Sequence, residues 1–226
     1  MEQDNLTAKQ LDYAIFLPAI SGFYAAFIGK QRDPVNGPYV EPSRMPAGIQ
    51  DMEQMNWLND QKSLFPYRWS LASGGHANLD LNKQDWSEDM VRNRDPNTLL
   101  LGDSGGFQIA KGLWEGDWKA NSGCPKAQKK RESILKWLDG VATYGMTLDI
   151  PTWVIHDKNA SDKCGIKTLQ EAVDATKYNN EYFIKHRKGK DNGGAKFLNV
   201  LQGDNHPNAD AWYEIMKEYC DPVKYP

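Results

Sequence analysis

Asp103-Ser104-Gly105-Gly106-Phe107-Gln108 follows the apolar run Leu99-Leu100-Leu101 after a single glycine, Gly102. A carboxylate, a hydroxyl, two glycines and an aromatic ring thus stand together at the exit of a short buried strand. That is the chemistry of a pocket for a flat heterocycle. The carboxylate accepts hydrogen bonds from ring N–H or amine groups, the ring stacks, and glycine lets backbone approach without a Cβ in the way. Average composition yields this hexapeptide by chance in about one chain in 10⁵. Two further strand exits end in groups of the same kind. Met146-Thr147-Leu148 is succeeded by Asp149, and Phe197-Leu198-Asn199-Val200-Leu201 by Gln202-Gly203. Two carboxylates and a carboxamide can accept from the N–H and exocyclic amine of a guanine-like edge and donate to its carbonyl.

These groups act together only if the elements beneath them bring the three exits to one place. Short apolar runs predict strands at Ala14–Leu17, Trp69–Ala72, 99–101, 146–148 and 197–201, and the four prolines and two glycines of residues 30–50 predict a long irregular loop. Met52–Leu64 reads as a helix. Pro125 suits a first helical position, and Ile134, Leu135, Leu138 and Val141 supply one apolar face of a helix ending near Gly145. Thr168-Leu169-Gln170-Glu171 is a capping box that opens a long helix, which closes on Lys185, His186, Arg187 and Lys188 before Gly189. A last helix is expected from Asn208 to Tyr219. Strands alternating with amphipathic helices predict parallel βα units, and the spacing suits a TIM-type (β/α) barrel, whose strand ends share one rim.

Composition narrows the classes. The 226 residues, 40% hydrophobic and 25% charged, are ordinary for a soluble globular chain, and a single domain over 1–226 is the expectation. A net charge of −3 provides no global field for nucleic acid, so any such contact needs a local patch. Cys124, Cys164 and Cys220 are far apart and form no legible zinc site with the four histidines, so no metal or other cofactor is expected from this chain. No apolar stretch approaches the length of a membrane span, and a cytoplasmic protein is expected.

Three other features carry weaker expectations. Ser73-Gly74-Gly75-His76 reads first as a tight turn and second as a phosphate-binding loop. His156-Asp157 reads as a surface pair rather than a metal or acid/base site. Lys126, Lys129, Lys130 and Arg131 crowd cations into the first turns of a helix, against its dipole; a solvated face is the leading reading, with a nucleic-acid contact through Lys129, Lys130 and Arg131 as the functional alternative.

Asp103-Ser104-Gly105-Gly106-Phe107-Gln108 resembles the signature of the tRNA-guanine transglycosylases. Met146–Asp149 resembles the family's second carboxylate strand, and Val200-Leu201-Gln202-Gly203 its base-reading strand, all in family order over roughly residues 69–219. The resemblance implies a (β/α) barrel that exchanges guanine in a nucleic acid for a 7-deazaguanine through a covalent glycosyl-enzyme. It implies that Asp103 is the general acid/base, that Asp149 and Gln202 read the base edge, that Phe107 stacks, and that Ser104, Gly105 and Gly203 line the pocket.

Two departures shape the expectation. The family's nucleophilic aspartate and its zinc site lie on late segments with no counterpart before Pro226, so an N-terminal part of the barrel, completed by a second polypeptide or lacking its zinc subdomain, is expected. Ile150-Pro151 stands where bacterial tRNA enzymes carry an acidic residue. That favours the branch of phages and bacterial genomic islands that modifies DNA. A queuine- or archaeosine-type enzyme acting on tRNA is the alternative, and a non-catalytic base-binding accessory subunit the third.

Overall fold

In the computed structural model, which describes residues 14–189 and 192–221, four parallel strands form one sheet in chain order. They are β1 Trp69–Ser73, β2 Leu99–Asp103, β3 Tyr144–Met146 and β4 Lys196–Leu198. The helices are α1 Gly22–Gly29, α2 Asp89–Arg92, α3 Gly106–Ala110, α4 Pro125–Val141, α5 Lys158–Cys164, α6 Leu169–His186 and α7 His206–Met216. The architecture is mixed α/β, as the alternating pattern predicts. The described strands make an open sheet of four, and no closed barrel is seen among them.

Period-two alternation assigns the two faces of the sheet. Ser70, Ala72, Leu100, Gly102 and Gly145 are buried toward the helices, while Trp69, Leu71, Leu99, Leu101 and Tyr144 are half-exposed on the other side. Gly102 is what lets α4 lie so close: a Cβ there would stand 2.6 Å from Leu138 and 2.8 Å from Ala142. Phe183 of α6 packs edge-on against Phe197 of β4 with ring centroids 5.5 Å apart. On the half-exposed face, Ile15, Leu17, Trp69, Leu101, Tyr144 and Leu198 surround an apolar cavity of about 250 Å³.

A second cluster, Ile28, Met52, Leu58 and Met90, packs α1 and α2 beside the sheet. Trp57 joins it to β1 by donating from Nε1 to Ser70 Oγ at 2.7 Å. Arg32 grips the Glu53 carboxylate with two bonds of 2.6 and 2.7 Å and also donates to Asp89. No described helix is long and apolar enough to cross a membrane.

Several boundaries differ from the sequence reading, each for a backbone reason. The first strand is not at Ala14–Leu17; pairing with Leu71 falls on Pro18–Ile20, where the Pro18 carbonyl accepts at 3.0 Å and Ile20 N–H donates at 2.8 Å. Met52–Leu64 forms only a 3-10 turn over Met52–Met55. Beyond it, Asn56 Oδ1 accepts from Leu58 N–H and Asn59 Oδ1 from Gln61 N–H, local bonds that replace helical ones. The third strand ends at Met146; Thr147 N–H still bonds to the Leu198 carbonyl, and beyond it the backbone turns to α6, the Leu148 carbonyl accepting from Asn179 and Ile150 N–H donating to Thr176. The fourth ends at Leu198, and the Val200 carbonyl accepts instead from Trp212 of α7 at 3.1 Å. The helix from Pro125 stops at Val141, since Thr143 N–H is already bonded to Leu100 of β2.

Candidate functional site

Parallel pairing in sequence order puts the C-terminal ends of all four strands on one rim. Ser73 and Asp103 are register partners at the ends of β1 and β2, and Ser73 Oγ donates to Asp103 Oδ2 at 2.5 Å. The other carboxylate oxygen accepts from Gly105 N–H at 3.2 Å. Gly105 sits at φ +83°, a left-handed conformation that turns the chain at once into α3. A Cβ on it would lie 2.9 Å from the Gly75 backbone, so the Ser73–His76 turn and the hexapeptide turn are pressed together. This is the tight turn of the leading sequence reading, with His76 N–H bonded to the Ser73 carbonyl at 3.1 Å.

Gly106 brings Asp149 into the same place, because a Cβ on it would stand 2.8 Å from Asp149 Oδ1. Gln202 donates from Nε2 to Asp149 Oδ2 at 2.6 Å. Residues separated by 46 and 53 positions thus converge on one rim, as the three strand exits require. Asp149 is buried. Burial, helped by the charge of Asp103, pushes its carboxyl up to about 7 against the lowering effect of backbone and Gln202 hydrogen bonds. The site therefore holds a carboxyl group able to gain or lose a proton near neutrality.

The remaining expected residues fall into distinct places. Ser104 is fully buried and its hydroxyl donates to the Thr147 carbonyl at 3.1 Å, so it ties β2 to the segment leading to Asp149. Gly203, at φ +151°, lies against α7, where a Cβ would meet Ala209 N at 2.5 Å. Phe107 is 54% exposed, its ring tilted against Trp153 at 5.8 Å.

The basic cluster needs correction at Arg131. This side chain is 3% exposed and points inward, donating to Asn179 Oδ1 at 2.6 Å and Gln128 Oε1 at 2.8 Å and lying over the Tyr178 ring at 4.8 Å. It is closed to a phosphate, because the helix face that carries it packs on α6. Asn179 in turn holds the Leu148 carbonyl beside Asp149, which makes Arg131 and Asn179 positioning residues for the rim. Lys129 is exposed, and Lys130 lies with its ammonium 4.6 Å from the Trp114 ring centroid.

His156 is not paired with Asp157. His156 meets Asp204 at 2.7 Å, holding that carboxyl down to about 2 together with Asn208, while Asp157 caps α5 through Ala160 N–H. Sequence reasoning did not connect Ser73 to Asp103, and it missed Asn179 and Trp153. The first two depend on cross-strand register and helix packing, but Trp153 stands four residues past Asp149 as Phe107 does past Asp103, a spacing visible in the sequence. No protein-family model matches the chain, and no curated protein and no solved structure matches it significantly.

Proposed function

We propose that the rim formed by Asp103, Asp149 and Gln202 binds a guanine-type base and serves a guanine exchange of the tRNA-guanine transglycosylase kind, with DNA as the favoured acceptor. The observation that carries the reading is the convergence of two carboxylates and one carboxamide, the Gln202–Asp149 contact at 2.6 Å among them. In the free site Gln202 occupies the Asp149 oxygen that a ring N–H would use. Base entry exchanges that internal bond for two outward ones, and burial makes each of them count. Exchange at an N-glycosidic bond requires a proton for the departing base and the loss of one from the incoming base. On this reading Asp103 carries one of these transfers, and Asp149, whose carboxyl burial raises to about 7, is a second group at the rim able to take part. A base reaching this rim must leave its stack, so the substrate nucleotide is flipped or single-stranded.

We infer further that the sheet is the first part of a (β/α) barrel. The half-exposed apolar face supports this, since parallel sheets are ordinarily covered on both faces. Additional strands, carrying the carboxylate that attacks the sugar, would turn this face into a barrel interior. That same face favours a second reading, a base-binding accessory subunit that acts only with a partner.

Incubation of the full chain with labelled guanine and either single-stranded DNA or tRNA tests the proposal. Incorporation into DNA, abolished by Asp103→Asn, is expected. Incorporation into tRNA alone would replace DNA as the acceptor, guanine retention without incorporation would establish the accessory reading, and neither retention nor incorporation would refute the proposal.

A further inference from the structure

Beyond the base site, the rim carries an unassigned arrangement of rings and charge. Phe107, on the first turn of α3, and Lys111, directly after that helix, are four residues apart and share a face, with Lys111 N–H bonded to the Phe107 carbonyl at 2.9 Å. Trp153 arrives from the other side, on the 3-10 turn Thr152–His156 that follows Asp149. The Lys111 ammonium stands 5.6 Å from the Phe107 ring centroid and 5.0 Å from that of Trp153. Phe107 and Lys111 are exposed, Trp153 is half-buried, and among the described residues no carboxylate pairs with Lys111.

One exposed ring, a second half-buried beside it and a cation within reach of both thus share one edge of the rim. Stacking surface and a free ammonium in one place match the two demands of an unpaired nucleotide, a π-face for its base and a cation for its phosphate. We propose that Trp153 and Lys111 extend Phe107 into a platform for the unpaired nucleotide adjacent to the one whose base enters the rim. Trp153 stacks on the neighbouring base and Lys111 pairs with its phosphate. The inference rests on the base-exchange reading, since it takes the target base to be at Asp103 and Asp149. It assigns the strand contact to α3 and the segment after Asp149, in place of the inward-facing Arg131.

The test is fluorescence anisotropy of the full chain with a short labelled single-stranded oligodeoxynucleotide carrying a central guanine. Trp153→Ala is expected to weaken binding about tenfold. Lys111→Ala, at an exposed position that leaves packing intact, is expected to weaken it and to lower the slope of log affinity against log salt by about one. An oligonucleotide abasic beside the guanine should bind the wild type as poorly as the intact one binds Trp153→Ala, with no further loss when the two changes are combined. Wild-type affinity in both variants, or no binding by the wild type, would overturn the platform. Retention of free guanine by the wild type reads the rim separately. Its absence alongside the oligonucleotide effects would count against base exchange and for the platform.

Discussion

Asp149 is pulled in two directions: burial and the charge of Asp103 favour its neutral form, and the Gln202 amide favours its anion. Burial wins, raising the carboxyl from 3.8 to about 7. The folded chain therefore binds this proton more tightly than the unfolded chain does. The resulting stability is fully present below pH 3.8 and is lost as pH rises through about 7. Urea denaturation across this range should show the wild type losing a few kcal/mol relative to Asp149→Asn, whose side chain does not titrate. Parallel stability curves for the two proteins would show that Asp149 is not held neutral. Arg131 is the opposite case. Its place in a basic run marks it as a surface cation, yet the tertiary packing of α4 on α6 turns it inward onto Asn179, a relation no local pattern encodes.

Helices whose ends are written in local chemistry were legible. The Thr168 capping box forms with both of its bonds, and α6 runs from Leu169 to His186. Pro125 does open α4. Strand ends were less so, because they are set by which partner claims each peptide group. Leu148 and Val200 look like strand interior by composition, but their carbonyls go to Asn179 and Trp212. The segment after Met52 failed as a helix because its asparagines bond their own backbone. What fixes that segment instead is Arg32, whose guanidinium joins Glu53 to Asp89 of α2, two buried carboxylates. Arg32→Ala leaves both without a counter-charge, and a loss of about 3 kcal/mol in urea, with an unchanged m value, is expected. A loss below about 0.5 kcal/mol would mean that the clamp contributes little beyond surface pairing.

Across the whole molecule, the described residues form one parallel sheet whose helices cover one face, and the other is half-exposed among those residues. Parallel order makes a single rim from strand ends far apart in sequence, and that is why the three polar exits could be grouped before any coordinates. What remained illegible was the depth of each group: burial of Asp149, and the exposure of Phe107 beside Trp153, follow from packing of several segments at once. On the proposed reading, Asp149 and Gln202 recognise the base as one unit. Calorimetric titration with guanine of the wild type, Asp149→Asn, Gln202→Ala and the double variant tests this coupling. Each single change is expected to weaken binding about tenfold or more, with the double variant no weaker than the worse single one. Equal affinities in all four proteins, or losses that simply add, would contradict it.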